Sequence, residues 1–237
     1  MMYKRHDLIW LTRAGWQAAL AAQPAQEAVL RHWRDEDWPV VVRRREPGIG
    51  SAAASAAKAA TDVAEPESEA GQDVFAGIAL PPDSTGAKPR IALRVAAAHI
   101  ERSTAPLTLK AARPALPAHW RPGYTELQRL SAGLDLRVYG SLAWQALTSL
   151  RCLTDSSDID ILFRPLTRQQ LQAGLALLSG AAHGLPLDGE IMFPSGQAVS
   201  WKEWLSASAA QARVLVKTTD SVHLAAPDEL LATLRPA

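Results

Sequence analysis

The sequence predicts an α+β fold: a sheet of at least three strands flanked by helices over residues 113–237, preceded by a smaller α+β domain over residues 1–112. Three observations carry the prediction. The C-terminal half runs strand, helix, strand, helix, strand in its hydrophobic periodicity. The N-terminal part mixes short strand candidates with one broken amphipathic helix. Between the two, Ala105 to Pro122 holds Pro106, Pro114, Pro117 and Pro122, a composition that opposes helix and sheet alike and places a boundary near its middle. With 237 residues, 48% of them hydrophobic, the chain can fill two small cores.

In chain order, Asp7-Leu-Ile-Trp-Leu11 reads as a strand, and Gly15 to Trp33 as a helix broken near Pro24. Trp38 to Arg45 joins β-branched residues to a basic end, the pattern of a strand leaving the core for solvent. Gly48 to Gly71 differs. Ala, Ser, Glu and Pro dominate there, Ile49 and Val63 are its only large hydrophobics, and so little apolar surface cannot offset the entropy of ordering it. We read it as an insertion or loop, with a transient helix over Ala52 to Ala60. Strand patterns resume at Asp73 to Leu80 and Arg90 to Val95, separated by the Pro81-Pro82-Asp83 turn and Gly86.

In the second half, Tyr124 to Ala132 forms an amphipathic helix ending at Gly133, and Leu134 to Tyr139 alternates as a strand. Leu142 to Leu150 follows as a helix with Ala143, Ala146, Leu147 and Leu150 on one face. Ser156 to Phe163 is the next strand, Thr167 to Leu178 a helix, and Leu187 to Phe193 and Val214 to Thr218 further strands. Ser200 with Glu203 three residues on predicts a capping box for a helix that carries Trp201 and Trp204, both placed in the core.

Composition narrows the function. No apolar run approaches the roughly 20 residues that span a bilayer, and Met1 to Trp10 carries charge without a following cleavable segment, so the expected location is the cytoplasm with no membrane contact. The single cysteine, Cys152, makes no internal disulfide and no zinc site. A net charge of +1 gives no case for nucleic acid.

The chemistry lies where the strand over Leu134 to Tyr139 meets the following helix. Gly140 lets an anion approach the backbone, Ser141 offers a hydroxyl, and the first amides of a helix have no intrahelical partners and so favour phosphate. Alone, Gly-Ser before a helix is a turn with an N-cap. On the next strand, period-2 alternation turns Asp158 and Asp160 to one face and Ile159 and Ile161 to the other. Two like charges held side by side call for a cation. The carboxylates would hold Mg²⁺, which would bridge to a phosphate gripped at the helix N-terminus.

Gly140-Ser141 followed by Ser157-Asp158-Ile159-Asp160 resembles the DNA polymerase β-like nucleotidyltransferase superfamily, which implies a nucleotidyltransferase-type mixed sheet flanked by helices. Sixteen residues separate Ser141 from Asp158, a gap longer than usual there. Arg137 to Thr148 with Ser156 to Phe163, and also Arg5-His-Asp-Leu8 and Trp38 to Arg44, are similar to the phosphoribosyl-dephospho-CoA transferases that prime malonate decarboxylase, where the long gap belongs to the pattern. The resemblance implies a holo-acyl-carrier-protein synthase. Its donor would be 2′-(5″-triphosphoribosyl)-3′-dephospho-CoA, its acceptor a serine on the apo acyl-carrier-protein subunit of malonate decarboxylase, and its by-product diphosphate. Asp158 and Asp160 would hold Mg²⁺, two ions in the two-metal arrangement, and Gly140 and Ser141 would cradle the departing diphosphate.

The superfamily pattern also implies a third carboxylate on a later strand. In Leu187 to Phe193 both Asp188 and Glu190 face the same side. Glu190, deeper in the strand among apolar neighbours, is the choice as metal ligand or as the group that helps deprotonate the serine, with Asp188 supporting. Arg43, Arg44 and Arg45 are candidates for the triphosphate or an acidic carrier surface, or form a solvated strand end. Lys217 reaches phosphate or faces solvent. His6 belongs to the resembling opening motif and is read as structural. Two other functions stay open: another nucleotidyltransferase acting on a protein or small molecule, and a carrier-protein-binding module without catalysis.

Overall fold

The computed structural model describes residues 3–45, 73–210 and 212–236. The expected insertion, Gly48 to Gly71, lies outside the described residues. Two sheets, each with its own core, bear out an α+β fold.

The first sheet contains β1 (Leu8–Leu11), β2 (Val40–Val42), β3 (Asp73–Ala79), β4 (Arg90–Ala96) and β5 (Ile100–Thr104), ordered β4-β3-β2-β1-β5. Its pairings are antiparallel. Alternation turns Val74, Ala76 and Ile78 of β3, and Ile91, Leu93 and Val95 of β4, into one core with Trp16, Leu30 and Trp33. Those last three come from α1 (Arg13–Ala22) and α2 (Glu27–Asp35). The helix break falls at Pro24 as the sequence predicts, because proline cannot continue α1 yet fits the first position of the short 3₁₀ turn Pro24–Gln26. Thr12 caps α1 by accepting a hydrogen bond from the Gly15 amide at 3.1 Å. Strand β5 carries no apolar alternation and was not expected. It holds the sheet edge through Arg102, which stacks on Trp10 and pairs with Asp37 at 2.9 Å.

The second sheet contains β6 (Leu107–Thr108), β7 (Leu136–Val138), β8 (Ile159–Phe163), β9 (Leu187–Met192), β10 (Ala198–Ser200), β11 (Val214–Lys217) and β12 (Val222–Ala225), in the order β12-β11-β10-β9-β8-β7-β6. Strands β8 and β9 run parallel and the remaining neighbours antiparallel, which makes the sheet mixed. Around it lie α3 (Leu109–Ala112), α4 (Arg121–Leu130), α5 (Gly140–Thr148), α6 (Arg168–Ala181), α7 (Trp201–Ala210) and α8 (Pro227–Leu231). One face of the sheet gives Ile159, Ile161, Phe163, Leu187 and Ile191 to the main core, where Trp201 and Trp204 are also buried. The opposite face carries Asp160, Asp188 and Glu190, and around Leu162, Met192 and Ala198 a small apolar cluster.

Several local expectations need correcting. The proline-rich stretch is not irregular: Pro114 and Pro122 sit in the first turns of short helical pieces, where a missing N–H breaks no bond. The Glu203 carboxylate, expected at a helix cap, accepts the Leu215 amide of β11 at 2.7 Å and so ties that helix to the sheet. Helix α5 begins at Gly140 rather than Leu142, and its fully buried residues are Leu142, Ala143, Trp144 and Thr148 rather than a single face through Ala146 and Leu150. The cause is that α5 serves two cores. Leu142 and Ala143 pack in the second, whereas Trp144 packs in the first, its ring edge-on to Trp33 at 5.7 Å between centroids.

Candidate active site

The site is built where β7 runs into α5. Gly140 has φ of 66°, a left-handed value that side chains strain to adopt. A Cβ at that position would also collide with the carboxylate of Asp160, so glycine is what lets the helix start lie against β8. The amide of Tyr139 donates to the carbonyl of Asp160 at 3.1 Å and closes the two strands at this point. Ser141 does not cap the helix. Residue Tyr139 occupies the N-cap position without a side-chain bond, and the Ser141 hydroxyl instead accepts a hydrogen bond from Lys88 Nζ at 2.7 Å.

The carboxylates stand beside this turn. Asp160 lies in β8, but Asp158 precedes the strand, which begins at Ile159. A turn closed by the Ser157 amide on the Thr154 carbonyl, and by the Thr154 amide on Ser157 Oγ, holds the chain out of the sheet until then. Asp158 is therefore exposed and Asp160 half-buried. In the parallel register Asp160 faces Asp188 of β9, whereas Glu190 falls two residues further on, beside Leu162. Burial, followed by the charges of Asp188 and Asp158, pushes the Asp160 carboxyl up to about 7.

Glu190 sits among cations. Arg5 Nη2 reaches its two carboxylate oxygens at 3.2 and 3.0 Å, Lys217 Nζ lies at 2.9 Å, and His6 Nε2 at 3.2 Å. The side chain is only 6% exposed. Burial would raise its pKa, but the bonds and charges of His6, Arg5 and Lys217 hold it well below the usual carboxylate range. Burial in turn lowers the pKa of His6 against the pull of Glu190. The His6 ring packs on Tyr139 at 4.1 Å between centroids, which joins the start of the chain to the turn at Gly140.

Between the sheets lies a cleft of about 340 Å³. Gly140, Asp160 and Tyr139 line it from the second sheet, and Arg5, His6, Arg43, Arg44 and Arg90 from the first. Its apolar wall includes Leu8, Val41, Ile78, Ala143 and Trp144. A pocket with one apolar side and a ring of guanidinium groups suits a ligand that joins an organic body to phosphates. The structure thus brings Arg43 and Arg44 to Gly140 and Asp160. It leads Arg45 elsewhere, over the ring of Phe75 in a separate hollow, and commits Lys217 to Glu190. Arg5 and Lys88 were not foreseen, since each meets the site only through the fold. Among the described residues no three His, Cys, Asp or Glu side chains converge as a metal-ligand group, and no helix is long and apolar enough to cross a membrane.

Comparisons with known proteins agree in kind. Residues 108–228 match the family described as phosphoribosyl-dephospho-CoA transferase MdcG C-terminal domain, and residues 4–55 match the corresponding N-terminal domain. The chain is 34% identical over 226 residues to a phosphoribosyl-dephospho-CoA transferase of Bradyrhizobium diazoefficiens, covering 93% of this chain and 88% of the relative. It is 37% identical over 228 residues to one of Xanthomonas euvesicatoria pv. vesicatoria, and 37% over 229 residues to one of Xanthomonas axonopodis pv. citri, with 94% of both chains covered in each case. No solved structure matches it significantly.

Proposed function

The chain belongs to the phosphoribosyl-dephospho-CoA transferase family of enzymes, and from that premise we propose that it moves the phosphoribosyl-dephospho-CoA group from 2′-(5″-triphosphoribosyl)-3′-dephospho-CoA to a serine of the apo acyl-carrier-protein subunit of malonate decarboxylase. The observation that carries the reading is the meeting, in one cleft, of the Gly140 turn and the Asp160 carboxylate from the second sheet with Arg5, Arg43, Arg44 and Arg90 from the first.

A serine hydroxyl is a weak nucleophile and a triphosphate repels it, so the site works by positioning and by offsetting charge. Backbone amides at the start of α5 and the guanidinium groups of Arg43 and Arg44 would hold the triphosphate, while the apolar wall at Val41 and Ile78 takes the organic part of the donor. The acceptor serine would attack the α-phosphorus from the side of Asp160. The chemistry of the donor set suits Mg²⁺, since Asp158, Asp160 and Asp188 all offer hard oxygen ligands and burial, then the charges of Asp188 and Asp158, raise the Asp160 pKa. The three do not converge as a ligand group among the described residues, so donor phosphate oxygens would have to complete the site. An ion held there would supply Lewis-acid stabilisation of the phosphates. Asp188 is the better third carboxylate. Glu190, singled out from the sequence, already has two cations, Arg5 and Lys217, and a hydrogen bond with the His6 ring, and its part is to hold Arg5 and His6 against the catalytic sheet.

Diphosphate release, followed with purified apo carrier protein, the triphosphoribosyl donor and Mg²⁺, tests the proposal. Release that requires both donor and carrier is expected, and release without the carrier would mean hydrolysis rather than transfer.

A further inference from the structure

We infer that Lys88, carried on the loop between β3 and β4, is the cation that grips the β- and γ-phosphates of the donor at the Gly140-Ser141 turn, so that the first sheet supplies a catalytic residue to the second. The inference deepens the transfer reading above and rests on it for the identity of the donor.

Lys88 Nζ lies 2.7 Å from Ser141 Oγ and 3.2 Å from Ser157 Oγ. Both hydroxyls flank the carboxylates: Ser141 opens α5, and Ser157 precedes Asp158. An ammonium carries three N–H donors, and two hydroxyls take two of them. The third is left for an anion at a helix N-terminus that itself favours one. The loop is built to present it. The Asp83 carboxylate accepts bonds from the Thr85 amide at 2.8 Å, the Thr85 hydroxyl at 2.6 Å and the Ala87 amide at 3.1 Å. Its base is closed by the Leu80 amide on the Pro89 carbonyl at 2.9 Å.

In the transfer, the acceptor Oγ bonds to the α-phosphorus as the bond from that phosphorus to the α–β bridging oxygen breaks. The electron pair leaves on diphosphate, and the hydroxyl proton passes to water. Charge builds on the diphosphate, where a positioned ammonium offsets it.

The experiment compares wild type, Lys88→Met and Lys88→Arg in steady-state transfer and in calorimetric binding of inorganic diphosphate with Mg²⁺. We expect Lys88→Met to weaken diphosphate binding at least tenfold and to lower kcat/KM for the donor by a larger factor, with an unchanged Tm and partial rescue by Lys88→Arg. Unchanged diphosphate affinity with a lowered Tm would overturn the inference and make Lys88 a tether between the sheets. If wild type binds diphosphate through Lys88 yet transfers nothing to the carrier, the transfer reading falls and the phosphate-binding role of Lys88 stands.

Discussion

Asp160 and Asp188 are register partners on the parallel strands β8 and β9, whereas Glu190, two residues beyond Asp188, is enclosed by Arg5, His6 and Lys217. Both acids face the same side of β9, so alternation alone could not separate them. The strand pairing and the cations do.

The two acids should therefore fail differently when neutralised. Asp188→Asn is expected to lower kcat by roughly 10²-fold or more while leaving the denaturation midpoint near wild type. Glu190→Gln is expected to lower stability by about 3 kcal/mol, because it leaves Arg5 and Lys217 without their shared counter-charge in a mostly buried place. Urea titration alongside initial rates separates them, and the reverse pattern would restore Glu190 as the metal carboxylate.

Asp160 gives a pH dependence with a definite sign. Its carboxyl is pushed from 3.8 up to about 7 in the folded protein, so between these values the folded state keeps a proton that the unfolded state has lost. Stability falls as pH rises through that window, and the full penalty is present above about 7. Asp160→Asn, which cannot acquire the charge, should exceed wild type by roughly 1–3 kcal/mol at pH 8 without Mg²⁺, and the gap should close toward pH 4. Added Mg²⁺ should raise wild-type stability and leave the variant unchanged. Thermal unfolding at pH 4, 6 and 8 with and without the ion checks both statements.

Gly140→Ala should be among the most damaging single-methyl additions in the chain. The new Cβ would strain a backbone at φ 66° and strike the Asp160 carboxylate, so the helix start and the carboxylate must separate. Loss of transfer by roughly 10²-fold or more is expected in a protein that still folds. Near wild-type rates would show that the phosphate does not bind at this turn.

Much of this site was legible because its central pieces are local. Gly140-Ser141 marks a strand-to-helix turn, and Asp160 lies on the strand beside it, whereas alternation misplaced Asp158, which precedes β8 and is exposed. The break at Pro24 and the strands around Ile78 and Leu93 also follow from short-range pattern. What stayed hidden depends on contacts across the chain. Arg5 meets Glu190 over 185 residues and Lys88 meets Ser141 over 53, separations at which no periodicity carries information. The desolvation expected for Glu190 is real, and Arg5 and Lys217, with a hydrogen bond from the His6 side, compensate it across the fold. Strands β5, β6, β10 and β12 are short or lie at edges, with too little alternation to announce themselves.

Trp144 links the stability of one half to the chemistry of the other. It rises from α5, whose N-terminus forms the site, and packs with Trp33 in the first core. Trp144→Ala should cost about 3–5 kcal/mol and should reduce transfer in the fraction that remains folded, because it frees α5 on the side of the cleft. Wild-type kcat in a destabilised variant would show that the first core supports the fold alone.

The most direct measurement is mass spectrometry of intact and digested apo carrier protein after incubation with this enzyme, Mg²⁺ and 2′-(5″-triphosphoribosyl)-3′-dephospho-CoA. One phosphoribosyl-dephospho-CoA group should appear on a single serine of the carrier, and it should be absent when Asp160→Asn replaces wild type. A carrier that keeps its apo mass with active donor present, or that gains a nucleoside monophosphate instead, would contradict the proposed transfer.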